Sequence, residues 1–333
     1  VSVGVVAIGR NEGPRLRACL ESAHRDCNSV VYVDSGSTDG SVELAKSLGA
    51  EVVSLDLSIP FTAARARNEG FARLRQMAAD VEYVQFVDGD CEIVDGWINA
   101  GAAALAANTG TAVACGRRRE RFPQATIYNR LCDMEWNTPI GIAKACGGDA
   151  LIRVEAFEQV GGYNPHVIAG EEPEMCVRLR ERGWTIHRID AEMTLHDAAI
   201  TKFSQWWKRM VRGGHAYAEG VHRHGNPPER MWVKQSRSIW IWTIGFAAAA
   251  IVAVSIFHWF GLIVLLAWPV MVLKIAAYRH GRGDSWNDAV LYGFFAMLAK
   301  VPQLQGQVRF MVGRWTGKKS GIVEYKSAKP TMV

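Results

Sequence analysis

The sequence predicts an α/β fold: a doubly wound, mostly parallel sheet, followed by a helical membrane hairpin and an amphipathic helix. Three observations carry this reading. Short apolar, β-branched runs alternate with helical stretches from Val3 to Asp90, the spacing of a parallel sheet with helices on both faces. The run Tyr83-Val84-Gln85-Phe86-Val87 reads as a buried strand and stops at Asp88-Gly89-Asp90, at the sheet edge where ligands bind in open α/β folds. Finally, Ile239–Leu273 is almost uninterrupted apolar sequence, far longer than one core helix needs.

In order, Val3–Ile8 is a strand, followed by Gly9-Arg10-Asn11-Glu12-Gly13-Pro14 and a helix carrying Leu16 and Leu20. Val30–Val33 is a second strand ending at Asp34. The helix Val42–Leu48 follows, stopped by Gly49, and Glu51–Ser54 is a third strand. Phe61–Ala78 is a basic helix with Arg65, Arg67, Arg73 and Arg75, leading into the central strand. Beyond Asp90, Gly96–Ala107 is an alanine-rich helix, and Thr111–Phe122 is a strand that runs into the cluster Arg117-Arg118-Arg119-Glu120-Arg121. That cluster reads either as a solvated sheet edge, which blunts strand pairing, or as a contact for an acceptor phosphate. Ala150–Arg153 is a strand, Val154–Val160 a helix and Pro173–Gly183 a helix. Trp184–Ile189 and Ala191–Leu195 are extended and end at His196, and Lys202–Gly214 is a basic aromatic helix.

Hydrophobic residues make up 49% of the 333 positions and charged residues 21%, which argues against disorder over most of the length. The net charge of +5 is modest, and many basic residues flank the apolar block, so an anionic membrane surface is a better partner than nucleic acid. No zinc finger or aromatic-interleaved RNA motif is present, and nucleic acid is not expected as a partner. The seven cysteines form no Cys-x-x-Cys and read as reduced thiols. With the apolar strand Val1–Ile8 opening the sequence and no signal-peptide pattern before it, the catalytic part is expected in the cytoplasm. The Gly-x-Gly-x-x-Gly fingerprint is missing after the first strand, which argues against a dehydrogenase.

Two carboxylates converging across Gly89 would repel one another without a cation between them. Hard oxygen ligands of this kind suit Mg²⁺ or Mn²⁺ carrying a phosphate. The motifs around them, taken together, resemble glycosyltransferase family 2, whose members have the GT-A type of α/β fold. The matching pieces are the Ile8–Asn11–Glu12 start, Val33-Asp34-Ser35-Gly36-Ser37-Thr38-Asp39-Gly40-Ser41, Ala66-Arg67-Asn68-Glu69-Gly70 and Asp88-Gly89-Asp90. The resemblance continues through Gly147-Gly148-Asp149-Ala150, Gly161-Gly162-Tyr163 and Gly170-Glu171-Glu172-Pro173-Glu174-Met175, covering about two-thirds of the chain.

This resemblance implies a glycosyltransferase of the inverting, hexosyltransferase type, with a nucleotide-sugar donor that is expected to be a UDP-sugar. It places Asn11, Glu12, Asp34 and Ser35 at the donor, with Asp34 on the base, and Arg67 at the diphosphate. Asp88 would touch ribose or metal, Asp90 would bind the metal, His196 would be a further metal ligand, and Asp149 would lie near the sugar. Glu172 would be the base, where most relatives carry an aspartate, and Ser35 stands where many carry a second acid. Arg209 and Arg212, on the helix after the base, are expected to assist the departing diphosphate. An arginine fork matches phosphate oxygens and a carboxylate accepts from a base N–H, so the chemistry agrees with these roles.

The organisation expected is a GT-A domain over residues 1–230, a membrane-associated helical region over 231–317 and a basic tail over 318–333. Within the second region a transmembrane hairpin is expected over 239–278, turning near His258–Gly261, and an interfacial helix over 285–312. Lys234 and Arg237 precede the apolar block Ile239–Leu273 and Lys274, Arg279, His280 and Arg282 follow it, so both ends should face the cytoplasm. That places the enzyme on the inner membrane and favours a lipid-linked or glycan acceptor of cell-envelope or exopolysaccharide synthesis. Gln205-Trp206-Trp207-Lys208-Arg209 does not match the Gln-x-x-Arg-Trp of processive synthases, so one sugar per encounter is expected. The rival readings are a sugar nucleotidyltransferase and a catalytically inactive membrane assembly subunit.

Overall fold

The structure, a computed structural model, describes Ser2–Gly317; the expected basic tail at 318–333 lies outside the described residues. Two compact units divide between Thr201 and Lys202, upstream of the boundary at 230 that the composition suggests.

The first unit alternates strands and helices: β1 (Val3–Gly9), α1 (Pro14–Asp26), β2 (Ser29–Asp34), α2 (Ser41–Ser47), β3 (Glu51–Ser54), α3 (Ala63–Met77) and β4 (Tyr83–Asp88). Then come β5 (Cys91–Ile93), α4 (Trp97–Ala107), β6 (Thr111–Glu120), α5 (Ile127–Trp136) and β7 (Gly141–Ala143). The unit closes with β8 (Ala150–Arg153), α6 (Val154–Gln159), α7 (Glu171–Glu181) and β9 (Thr185–His196). The strand order is β3-β2-β1-β4-β8-β6-β9-β5, with β7 paired to β9. β3, β2, β1 and β4 are mutually parallel, whereas β8 enters antiparallel between β4 and β6. The mostly parallel expectation holds, with β8, β5 and β7 as the antiparallel members.

The sequence explains this arrangement locally. Val5, Val6 and Ala7 of β1 are all fully buried, as a central strand covered on both faces requires. Gln85 is the polar interruption in β4; its Oε1 accepts from Trp97 Nε1 at 2.8 Å and its Nε2 donates to the Phe86 carbonyl at 2.7 Å. Both polar ends are thus satisfied inside the core. Register then sets the edge where chemistry can occur. Gly9 pairs with Asp34, and Ile8 pairs with Asp88. The acids ending β2 and β4 therefore leave the sheet at one level on either side of β1, where the strand order switches direction.

Five elements differ from the sequence reading. α7 starts at Glu171 rather than Pro173, so both glutamates of Gly170-Glu171-Glu172 lie in its first turn. β9 is one strand rather than two. The short strands β5 and β7 and the helix α5, capped by Thr126 Oγ1 accepting from Asn129 N at 3.1 Å, are additions.

The second unit is helical: α8 (Phe203–His224), α9 (Val233–Trp240), a widened turn at Ile241–Gly245, α10 (Phe246–Phe257), a tight helical run at His258–Leu266, α11 (Ala267–His280), α12 (Trp286–Leu298) and α13 (Lys300–Thr316). The expected single interfacial helix over 285–312 is divided between α12 and α13 at Ala299. Val233–His280 forms one helical run of 48 residues whose most apolar stretch has mean hydropathy 2.4 and is only 11% buried. His258 has φ +52°, and a Cβ on Gly261 would lie 2.3 Å from the Ala253 carbonyl. The chain therefore folds back on itself at His258.

α8 packs on α13 through two glycines. A Cβ at Gly214 would lie 2.0 Å from the Gln303 carbonyl oxygen, and one at Gly306 would lie 2.0 Å from that of Val211. At neighbouring Gly213 nothing lies within 4 Å. Gly214→Ala should therefore lower the thermal midpoint of the detergent-solubilised chain, by overpacking worth about 1–3 kcal/mol. Gly213→Ala should leave it unchanged or raise it, because alanine is the better helix former by about 1 kcal/mol.

Candidate active site

The loops after β1 and β2 are laced together. Asn11 adopts a left-handed backbone, φ +56°, which asparagine tolerates better than most side chains. This turns its N–H onto Ser37 Oγ at 2.9 Å, while its Oδ1 accepts from Thr38 N at 2.7 Å. Gly13 N donates to Asp39 Oδ2 at 3.0 Å. Glu12 pairs with Arg15 at 2.8 Å. Asp34 closes the second loop: its Oδ2 accepts from Gly36 N and Ser37 N, both at 2.9 Å, and its Oδ1 accepts from the Tyr32 hydroxyl at 3.2 Å. Ser35 is buried, and its hydroxyl has no hydrogen-bond partner among the described residues.

Arg67, from α3, bridges the end of β4 and the start of α7. Its Nη2 donates to Asp88 Oδ1 at 2.7 Å and its Nη1 donates to Glu171 Oε1 at 2.8 Å. Burial works against the guanidinium charge, but Asp88 and Glu171 outweigh it and hold Arg67 above its ordinary pKa. A second arginine enters from β6. Arg118 reaches Asp149 Oδ2 at 2.7 Å and Asp88 Oδ2 at 3.8 Å, and lies over the Trp136 ring. Again burial lowers and Asp149 raises, with a net upward shift. Asp149 is fully enclosed: besides Arg118 it accepts from Thr194 Oγ1 at 2.7 Å and from Asp88 N at 3.2 Å. A buried guanidinium, Arg67, and a half-buried one, Arg118, thus stand among three carboxylates, an arrangement that satisfies its enclosed charge only while every member is present.

Asp90 and His196 meet beside this group. His196 Nε2 lies 3.3 Å from Asp90 Oδ2, both side chains being under a tenth exposed. Burial and then the Arg118 charge push the imidazole down to about 4, so it is neutral at pH 7. Its Nδ1 has no partner among the described residues. Glu120, level with His196 on the neighbouring strand, is pushed by burial up to about 7. The Asp90 carboxylate, the neutral His196 imidazole and the Cys91 sulfur offer ligand atoms within 4.8 Å of one another, while Asp88 groups with Cys91 and Asp149; the carboxylate and imidazole suit a divalent cation.

Glu172 is buried, with its Oε1 accepting from Cys146 N and from the Cys176 thiol, the latter at 3.3 Å. Its neighbour Glu171 turns the other way, onto Arg67. The structure therefore brings Asp88, Asp90, Asp149, Arg67, His196 and Glu171 into one network, with Asn11, Glu12, Asp34 and Ser35 on the two adjoining loops. Arg209 and Arg212 are half-buried residues of α8, in the second unit. The sequence reading places Arg118 only within the basic cluster, and Glu171 only beside Glu172 in Gly170-Glu171-Glu172, with no donor-site role for either. Of its neighbours, Arg119 bonds Asp133 and Glu192, and Arg121 bonds Glu92.

Residues 4–161 match the family model described as glycosyl transferase family 2, and residues 131–200 match one described as the N-terminal domain of galactosyltransferase. The chain is 24% identical to glycosyltransferase AglE of Haloferax volcanii over 64% of its length and 71% of that protein. It is also 24% identical to the succinoglycan biosynthesis protein ExoA of Rhizobium meliloti, over 87% of both. Among solved structures, the mannosyltransferase PcManGT from Pyrobaculum calidifontis, in complex with GDP-Man and Mn²⁺, matches with a TM-score of 0.57 at 17% identity. The match covers 93% of this chain and 86% of that one, and supports the GT-A type of sheet. The order of motifs, the strand-end acids and these likenesses converge: residues 4–161 are similar to glycosyltransferase family 2, and the chain is a glycosyltransferase.

Proposed function

We propose that this chain is an inverting, metal-dependent enzyme that moves one hexose from a nucleotide sugar, of the UDP-sugar class, to a hydroxyl of a lipid-linked acceptor in cell-envelope or exopolysaccharide glycan synthesis. The observation that carries the reading is the junction of Arg67–Asp88 with Asp90–His196 at the end of the central strand. It combines a fixed cation for diphosphate oxygens with a donor set for Mg²⁺ or Mn²⁺.

In this reading the loops after β1 and β2 hold the nucleoside. Asp34 Oδ2 is taken by two backbone N–H groups, whereas Oδ1 accepts from the Tyr32 hydroxyl at 3.2 Å and has a second lone pair to accept from a base N–H. Asn11 and Glu12 shape the floor, and Ser35 offers its unpartnered hydroxyl. Asp90, His196 and Asp88 would hold the metal; when bound it would offset charge developing on the diphosphate. Asp149 acts at one remove, by fixing Arg118 and the Asp88 backbone. Glu172 takes the proton from the acceptor hydroxyl as that oxygen attacks the anomeric carbon. Glu171 is the weaker choice, because its oxygen is committed to Arg67. Arg209 and Arg212 are assigned to the departing diphosphate.

The donor half is tested by thermal shift in Mn²⁺ with a panel of nucleotide sugars. One UDP-sugar should raise the midpoint of the wild type and fail to raise that of Arg67→Ala or Asp34→Ala. A shift that survives both substitutions contradicts these roles.

The membrane half rests on the exposed apolar run Val233–His280 and its reversal at His258. Trp259, Phe260, Ile263 and Ile251 are all more than half exposed, a surface suited to lipid. A hairpin with both basic ends in the cytoplasm holds the enzyme on the inner membrane beside a lipid-linked acceptor. Reporter fusions after residues 237, 260 and 282 should read inside, outside, inside. An inside reading at 260, with the chain released by carbonate, contradicts the hairpin and the acceptor assignment together.

A further inference from the structure

A second group of ligating atoms includes Glu172 itself and shares no residue with the group of Asp90 and His196. Cys146, on the loop after β7, and Cys176, in the middle of α7, place their sulfurs 3.7 Å apart, and Glu172 Oε1 lies 3.3 Å from the Cys176 sulfur. All three ligating atoms fall within 4.8 Å of one another, and all three residues are buried. A tetrahedral zinc ion with bonds of about 2.3 Å to sulfur and about 2.0 Å to oxygen separates its ligands by roughly 3.8 Å, sulfur to sulfur, and roughly 3.5 Å, sulfur to oxygen. The sulfur–sulfur distance of 3.7 Å and the Cys176–Glu172 distance of 3.3 Å already stand near these separations. Two sulfurs and one carboxylate are also a softer set than Asp90 and His196 with the single Cys91 sulfur, and thiolates prefer zinc to magnesium or manganese.

We propose that Cys146, Glu172 and Cys176 form a zinc site whose occupation withdraws Glu172 from proton transfer and so shuts the enzyme off. The regulatory half rests on Glu172 as the base; the metal site does not. Zinc would bind as the two thiols lose their protons: Zn²⁺, two R–SH and one carboxylate give the bis-thiolate carboxylate complex and two protons released to solvent. The complex carries one net negative charge, and Arg180 beside Cys176 offsets part of it. Because binding releases two protons, zinc affinity should rise with pH. With three protein ligands, the fourth position is open to water.

The test uses the full, reduced chain in detergent with Co²⁺ as a spectroscopic probe. One equivalent should give a thiolate-to-cobalt charge-transfer band that Zn²⁺ displaces and excess Mg²⁺ does not. The band should be lost in Cys146→Ser and in Cys176→Ser, each weakening metal binding by more than the roughly 10–100-fold that losing an outer partner costs. It should persist in Cys115→Ser and Asp90→Asn. No band, or a band surviving both serine variants, overturns the site. In parallel, one equivalent of Zn²⁺ should abolish turnover in saturating Mn²⁺, and a chelator followed by Mn²⁺ should restore it. A normal band with undiminished turnover would overturn the regulatory half and point to a base other than Glu172, while leaving the metal site standing.

Discussion

Asp90→Asn is expected to abolish sugar transfer almost completely while leaving the protein folded. The carboxylate lies 3.3 Å from His196 Nε2 with its side chain 5% exposed, and an amide of the same shape can still meet the imidazole. What the substitution removes is the charge that would hold a cation at the leaving group. Metal stabilisation of a departing diphosphate is worth several kcal/mol, so turnover should fall about 10²–10⁴-fold. The thermal midpoint should stay close to wild type, and EDTA should impose the same loss on the unmodified enzyme. Near-normal turnover of the variant in EDTA contradicts a metal role for Asp90.

Glu172→Gln is the second large effect. The amide keeps an oxygen to accept from Cys146 N and Cys176, so the loop and α7 should stay in place and donor binding should persist. The group can no longer take a proton, and turnover should drop about 10²–10⁴-fold with the donor KM little changed. Glu171→Gln acts differently. It removes one of the two carboxylates that hold Arg67, so its effect should fall on donor affinity and on stability. A catalytic loss confined to Glu171→Gln would exchange the two assignments.

Much of this site was legible because parallel strands end where ligands bind. Asp34, Asp88 and Asp90 are readable from the ends of apolar runs alone, and the register Gly9–Asp34 and Ile8–Asp88 places the first two at one edge. Arg118 was not readable. Side chains alternate along a strand, but β6 shifts register at Cys115/Arg117 and again at Arg117/Arg118, so counting in twos cannot say which arginine turns inward. The short strands β5 and β7, three residues each, are below the length at which periodicity carries information. Glu171 and Glu172 were readable as a pair. Their opposite directions follow from consecutive positions in a helix, about 100° apart around its axis, and became visible only once α7 was seen to start at Glu171. The apolar block from Ile239 was plain from composition. Its reversal depends on the left-handed backbone of His258 and the close approach of Gly261 to Ala253, which composition does not encode.

The central claim is transfer of a sugar from a nucleotide donor at a metal-dependent site. It is tested most directly by incubating the detergent-solubilised chain with labelled UDP- and GDP-sugars, Mn²⁺ and a bacterial membrane lipid extract. The account predicts that label from one UDP-sugar enters the lipid-extractable fraction, with one nucleoside diphosphate released per sugar and no transfer in EDTA. Exchange of label from pyrophosphate into the donor, or no turnover with any donor, would contradict it.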